Sequence, residues 1–173
     1  MQTVRKERAN VEREKRFLAA HAAGHDRIYR YFRRRTESAA TAEDLCAEVF
    51  RIVWEKSADG GSLSTMVLFG IAKNVLRNHY RSVSRSTDLL GALRAERYDE
   101  RRSGDSAVHE ALERLSPDER EVLLLTYWDG FTSKEVSDLL NTSATAVRMR
   151  LHRARKALSH LIQTQPQAEG AEL

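Results

Sequence analysis

Residues 131–161 read FTSKEVSDLLNTSATAVRMRLHRARKALSHL, and this stretch predicts two helices joined by a tight turn, the second long and basic. Thr132 can cap the first helix, and Glu135, three positions on, can reach back to the amide of the cap. Phe131 and Val136 sit where an apolar staple forms. Val136, Leu139 and Leu140 supply a short apolar face. Asn141 stands where the chain must reverse, as one of the few residues besides glycine that tolerate the left-handed conformation. Thr142 or Ser143 can cap the second helix. At about 100° per residue, Val147, Leu151, Ala154, Leu158 and Leu161 fall on one buried stripe. Thr145, Met149, His152 and Lys156 lie opposite, flanked by Arg148 and Arg153.

Between Thr142 and His160 there are four arginines, one lysine and no carboxylate. A basic helix with an apolar back, entered through a tight turn from a shorter helix, is the recognition unit of a helix-turn-helix. The first turns of such a helix face base edges in the major groove, which selects Thr145, Arg148, Met149 and His152. Arg153, Arg155 and Lys156 lie further along, where phosphates are met. The plainer reading is a basic amphipathic helix solvated on its outer face, but that leaves the short capped partner helix unexplained.

The whole chain has 173 residues, enough for one domain or two small ones, and a formal net charge of +4 that suits a polyanionic partner. Two prolines, few aromatics and long stretches of Ala, Leu, Glu and Arg favour an all-α protein. The single Cys46 excludes an internal disulfide, and none of the six histidines has zinc-site spacing, so no metal or other cofactor is expected. No run reaches the length of a membrane span and the first residues lack a signal-peptide core, so a cytoplasmic location without membrane insertion is expected.

Residues 1–16 are highly charged and read as a basic N-terminal arm, either a frayed helix or disordered. From Phe17 apolar density rises, and Ile28, Tyr31 and Phe32 share a helical face that Arg33, Arg34 and Arg35 close with charges complementing the helix dipole. Thr41 or Ala42 opens the next helix. Its apolar residues, Leu45, Cys46, Val49, Phe50, Ile52, Val53 and Trp54, cover more than one stripe, so it must be central or touch a partner. Asp44, Glu48, Arg51 and Glu55 form its exposed strip. Residues 57–62, SADGGS, are a loop by composition. In the following helix Leu63, Met66, Val67, Ile71 and Val75 make a core face, and Lys73, Arg77, Asn78, Tyr80 and Arg81 a polar one suited to a nucleic-acid backbone and unstacked bases. The Ser-rich, then charged stretch 83–105 reads as a flexible linker able to hold a helical turn. Beyond it Val108, Leu112 and Leu115 share a face, and Ser116-Pro117-Asp118-Glu119 is a strong helix start. That helix runs through Val122, Leu123, Leu125 and Tyr127 to Asp129-Gly130.

In combination, AEDLCAEVF with Trp54 four residues beyond it, then LFGIAKNVLRNHYR, a charged linker, and ALERLSPDEREVLLLTYWDGFTSKEVSDLLNTSATAVRMRLHRARKAL resemble the extracytoplasmic-function sigma factors, the smallest bacterial sigma factors. The resemblance spans residues 17–162 and rests on two motifs in the correct order. It implies a sigma region 2-like domain at 17–82, a linker at 83–105, a region 4-like helix-turn-helix domain at 106–162 and a tail at 163–173. The first domain would bind the clamp helices of core RNA polymerase through Asp44, Glu48 and Arg51. The loop of Asp59, Gly60, Gly61 and Ser62 would capture a flipped base of the −10 element, beside Lys73, Asn74, Arg77, Asn78 and Arg81. The second domain would read the −35 element as duplex through Thr145, Arg148, Met149, His152, Arg153 and Lys156, and bind the polymerase flap. The resemblance also implies an anti-sigma factor as a further partner, an expectation that the over-wide apolar helix and the linker suit. Such a protein carries no catalytic residue. Against the family pattern, Val67 stands for a tryptophan, Ala47 for a glutamine, and Asn141, Thr142 and Ser143 for a glycine, an apolar residue and a proline.

Rival functions are a free-standing helix-turn-helix regulator that binds duplex operator without polymerase, an enzyme, and an adaptor that mimics the sigma fold. The paired motifs argue against the first, and the scatter of histidines and carboxylates without a convergent cluster argues against the second.

Overall fold

The structure, a computed structural model, describes residues 2–89 and 106–164, and all regular elements among them are helical. They divide into two compact units, Met1–Asp99 and Glu100–Leu173. The first holds α1 (Gln2–Arg33), α2 (Ala39–Lys56) and α3 (Thr65–Leu89), with a 3-10 turn at Ser57–Asp59. The second holds α4 (Ser106–Glu113), α5 (Pro117–Leu123), a π-turn at Leu124–Trp128, α6 (Ser133–Leu140) and α7 (Ala144–Gln163). The linker expected at 83–105 lies, past Leu89, outside the described residues.

In the first unit α1, α2 and α3 all pack on one another. Ile28, Tyr31 and Phe32 on α1, Val49, Phe50 and Val53 on α2 and Leu68 and Phe69 on α3 are all buried in this three-helix core. Tyr31 meets Phe69 edge to face with ring centroids 5.5 Å apart. Each such fully buried large side chain stabilises by roughly 1.5–3 kcal/mol relative to exposure. Gly24 lets α1 approach α3: a Cβ there would stand 2.4 Å from Leu68 Cδ2, and Leu68 is itself buried.

Several boundaries differ from the sequence reading. Of the two readings left open for 1–16, the helical one holds: from Gln2 onward the stretch is the start of α1, whose face continues backwards through His21, Phe17 and Arg13 and meets the end of α2. Arg33 ends α1, whereas Arg35 is buried: its Nη1 donates to the Tyr31 carbonyl at 3.1 Å and its guanidinium lies 3.8 Å from the Tyr31 ring centroid. Its role is to pack the corner as well as to carry charge. The second helix opens at Ala39, since Ser38, with extended backbone, caps it by accepting from the Thr41 amide at 3.0 Å. Thr41 thus lies inside the first turn, its hydroxyl bonded to that of Ser38. On α3 the buried face is Leu68, Phe69, Ile71, Ala72, Val75 and Leu76, while Met66 and Val67, and Leu63 just before the helix, are only half-buried. Contact with two helices at once requires a wider arc than one stripe, and its centre moves accordingly.

In the second unit Ser116 and Glu119 form the expected reciprocal cap, with Pro117 in the first turn. The departure is the π-turn, closed by Asp129 N bonding to Leu124 O, five residues back, at 2.9 Å; just beyond it Phe131 N bonds to Leu125 O at 3.0 Å. The wider turn lets four consecutive residues, Val122 to Leu125, all be buried, and leaves Tyr127 and Trp128 at the surface. Gly130, at φ 78°, then turns the chain into α6. No described helix is long and apolar enough to cross a membrane.

Candidate nucleic-acid interface

α6 and α7 form the helix-turn-helix at atomic detail. Thr132 accepts from Glu135 N at 3.3 Å while Glu135 Oε2 accepts from Thr132 N at 2.8 Å, so two orphan amides of α6 are satisfied. Asn141 adopts φ 51°, ψ 53°, the left-handed conformation, and its N–H closes on Ser137 O. Thr142 N donates to the same carbonyl at 3.0 Å. Of the two candidate caps for α7 it is Ser143 that serves, accepting from Ala146 N at 3.0 Å. Val147, Leu151 and Ala154 are buried, with Leu158 and Leu161 half-buried nearer the end.

The opposite face of α7 is open. Thr145, Arg148, Met149, His152, Arg153 and Lys156 are all exposed, Met149 at 63%. Arg148 Nη2 donates to Thr145 Oγ1 at 3.2 Å, so the first turn presents a guanidinium already steadied by a hydroxyl. Arg155, expected further along among the phosphate-facing residues, is exposed, with its Nη1 3.2 Å from the Tyr127 hydroxyl. Arg150 is half-buried and faces Asp118 at 3.9 Å.

The first unit carries three further groups of candidate residues. Between α2 and α3, Asp59, Gly60, Gly61 and Ser62 are exposed, and Gly60 is left-handed at φ 73°. No atom stands within 4 Å of where a Cβ would be on Gly60 or Gly61, so this loop has open space on its outer side. On α3, Asn74, Arg77, Asn78 and Arg81 are exposed at helical spacing and Lys73 is half-buried; Arg77 Nη2 donates to Asn74 Oδ1 at 3.1 Å. Tyr80, read from the sequence as a base-stacking candidate, uses its hydroxyl to donate to Arg35 O. On α2, Asp44 and Arg51 are exposed and Glu48 half-buried. Arg51 binds both Glu48 oxygens at 2.7 Å and also Glu55. Hydrogen bonding from Arg51 holds the Glu48 carboxyl below its usual range and the same pairing raises Arg51.

Two residues of the first unit escaped the sequence reading. Arg13 Nη2 donates to Trp54 O at 2.6 Å and its Nε to Ser57 Oγ at 2.9 Å, and Arg16 Nη2 donates to Gly61 O at 3.0 Å. Stepping back from Ile28 by threes and fours through His21 and Phe17 reaches Arg13 on the same helical face, the signal that could have found it. Among the described residues no group of three or more His, Cys, Asp or Glu is placed to hold a metal ion. Burial pushes the Cys46 thiol up to about 11, with Asp26 adding to the shift, so it is a poor nucleophile.

Residues 105–158 match the family model described as Sigma-70, region 4. The chain is 29% identical over 146 residues to the ECF RNA polymerase sigma factor SigL of Mycobacterium tuberculosis, covering 79% of this chain and 82% of that protein. Its fold is similar to that of the sigma factor RpoE solved in complex with the anti-sigma factor NepR from Bartonella quintana, with a TM-score of 0.67 at 22% identity over 88% of this chain and 97% of the other. It is also similar to CnrH solved with the cytosolic domain of CnrY, with a TM-score of 0.67 at 21% identity over 92% of this chain and 95% of that one.

Proposed function

We infer, from the premise that this chain belongs to the extracytoplasmic-function sigma factor family, that it is an alternative bacterial sigma factor. It binds core RNA polymerase and directs promoter-specific initiation by recognising the −35 and −10 elements, under the control of an anti-sigma factor. The observation that carries the reading is the capped α6–turn–α7 unit within the region 4 match, with its open basic face, downstream of a separate helical unit bearing its own exposed basic helix.

Each group of residues takes a role in that reading. Arg148, with Thr145, Met149 and His152, faces −35 base edges, and Arg153 and Lys156 meet phosphates. Asp59, Gly60, Gly61 and Ser62 capture an unstacked −10 base, and Lys73, Asn74, Arg77, Asn78 and Arg81 follow the melted strand. Asp44, Glu48 and Arg51 dock on the clamp helices, and the second unit also engages the flap. The protein is not an enzyme and acts in the cytoplasm: polymerase performs the chemistry, while capture of unstacked bases offsets an unpairing cost of a few kcal/mol per base. The co-structures of RpoE with NepR and of CnrH with CnrY support an anti-sigma partner here, which would cover polymerase-binding surface on the free protein.

Reconstitution with core polymerase on genomic fragments tests the assignment. Specific transcription starts that need both components are expected. Tight duplex binding without polymerase, and no such starts, would instead identify a free-standing operator-binding regulator.

A further inference from the structure

We propose that Arg13 and Arg16 of α1 are positioning residues for −10 capture, holding the 57–62 loop in its open-handed shape before DNA arrives. This rests on the reading of that loop as the base-capturing element, and it gives a task to residues outside the sigma motifs.

The geometry is specific. Arg13 and Arg16 lie one helical turn apart on α1 and reach opposite ends of the same loop. Arg13 serves the entry. Its guanidinium stacks 4.0 Å from the Trp54 ring centroid, donates to the Trp54 carbonyl, and donates to the Ser57 hydroxyl, which itself donates to Trp54 O at 2.6 Å. The last turn of α2 leaves carbonyls without helical partners, so a cation there is favoured by both hydrogen bonding and the helix dipole. Arg16 serves the exit through Gly61 O.

Between those anchors the loop has little else to hold it. The turn closes by Gly60 N on Ser57 O at 3.4 Å, and Ser62 Oγ accepts from Ser64 N at 3.3 Å, both long bonds. The two glycines have no side chains to pack and open space around them. A glycine-rich loop loses much conformational entropy when a ligand fixes it, and contacts that fix it beforehand remove that cost from binding. The arginines therefore act on DNA opening through the loop, and on the sequence preference of capture, without touching DNA.

The test uses the full-length protein with core polymerase on a promoter identified by the reconstitution above, with 2-aminopurine in the −10 element to report base unstacking. Arg13→Ala and Arg16→Ala are each expected to lower the opening rate on duplex promoter about tenfold, the scale of one lost charge-assisted hydrogen-bond network. Core-polymerase affinity and transcription from a pre-melted template should stay within about twofold, because the loop is then bypassed. Discrimination between the native −10 sequence and a single-base variant should shrink. Arg16→Lys, which keeps one donor for Gly61 O, should recover part of the loss, whereas Arg13→Lys cannot supply the two-pronged contact and should not. Normal opening and discrimination in both alanine variants, alongside a defect in Asp59→Ala or Ser62→Ala, overturns the positioning proposal alone. Normal behaviour of the loop variants too overturns the loop reading and the proposal with it. A parallel loss of core binding and pre-melted transcription identifies a general folding defect and also overturns it.

Discussion

Asn141 shows how one residue sets the entry to the reading helix. Its left-handed backbone, φ 51°, is unfavourable for most side chains and costs nothing for glycine. Asn141→Ala should therefore destabilise the second unit by about 1 kcal/mol, and Asn141→Gly should be neutral or slightly stabilising, as measured by denaturant unfolding. His21 offers a residue-scale test in the first unit. Its ring packs at a tilt against both His25 and Phe50, at centroid distances of 4.9 and 4.5 Å. Burial, and next the charge of His25, lower its pKa from the ordinary 6.5. The unfolded chain then takes up that proton at higher pH than the folded one, so stability is full above 6.5 and falls as pH drops through the window below it. His21→Phe should show a smaller drop in melting temperature between about pH 7.5 and 5.5 than the unsubstituted protein.

At the scale of elements, the two kinds of contact proposed for α7 are ones that mutation can separate. Arg148→Ala is expected to cost about 1–3 kcal/mol of discrimination at one −35 position, read by comparing holoenzyme binding to single-base promoter variants. Arg153→Ala or Lys156→Ala should instead weaken all sequences alike and reduce the slope of log affinity against log salt by about 0.9 each. Much of this element was legible before any coordinates, because caps and periodicity are local: Thr132, Glu135, Asn141 and the Val147–Leu151–Ala154 stripe stand where their chemistry requires. What escaped was set by non-local packing. The centre of the α3 core face depends on two neighbouring helices, and the backward extension of α1 depends on the far end of α2. Ser38 is an instructive exception, a local cap passed over for Thr41 three residues later. The residues proposed to face DNA and polymerase were legible as chemical types on polar faces, and the roles proposed for them came from the resemblance, since a basic solvated face has the same local pattern whatever it binds.

For the whole molecule, the consequence of two separate cores is thermodynamic. Each unit buries its own apolar set, so unfolding need not be a single cooperative event. Gly24→Ala forces a Cβ against buried Leu68 and should cost about 1–3 kcal/mol in the first unit only. Thr132→Ala removes a cap and should cost about 1 kcal/mol in the second only. Calorimetry is expected to resolve two transitions, with each substitution lowering one of them; a single transition shifted by both would contradict independent units. The same division bears on binding: each reader is small, so useful promoter affinity requires both to be held on one polymerase, where the second contact becomes effectively intramolecular.

The π-turn at Leu124–Trp128 has a consequence for how this chain tolerates changes in length. A π-turn is equivalent to an α-helix with one residue inserted, its amides bonded five residues back instead of four. Losing one residue there can be absorbed by reverting to ordinary α-helical bonding, with a single local shift before Gly130 resets the direction. The same loss inside α7 would rotate every downstream side chain by about 100° and take Arg153 and Lys156 off the open face. Gaps between this chain and its relatives should therefore gather at Leu124–Trp128 and avoid Ala144–Gln163, a record of which helix keeps its register because something is read with it.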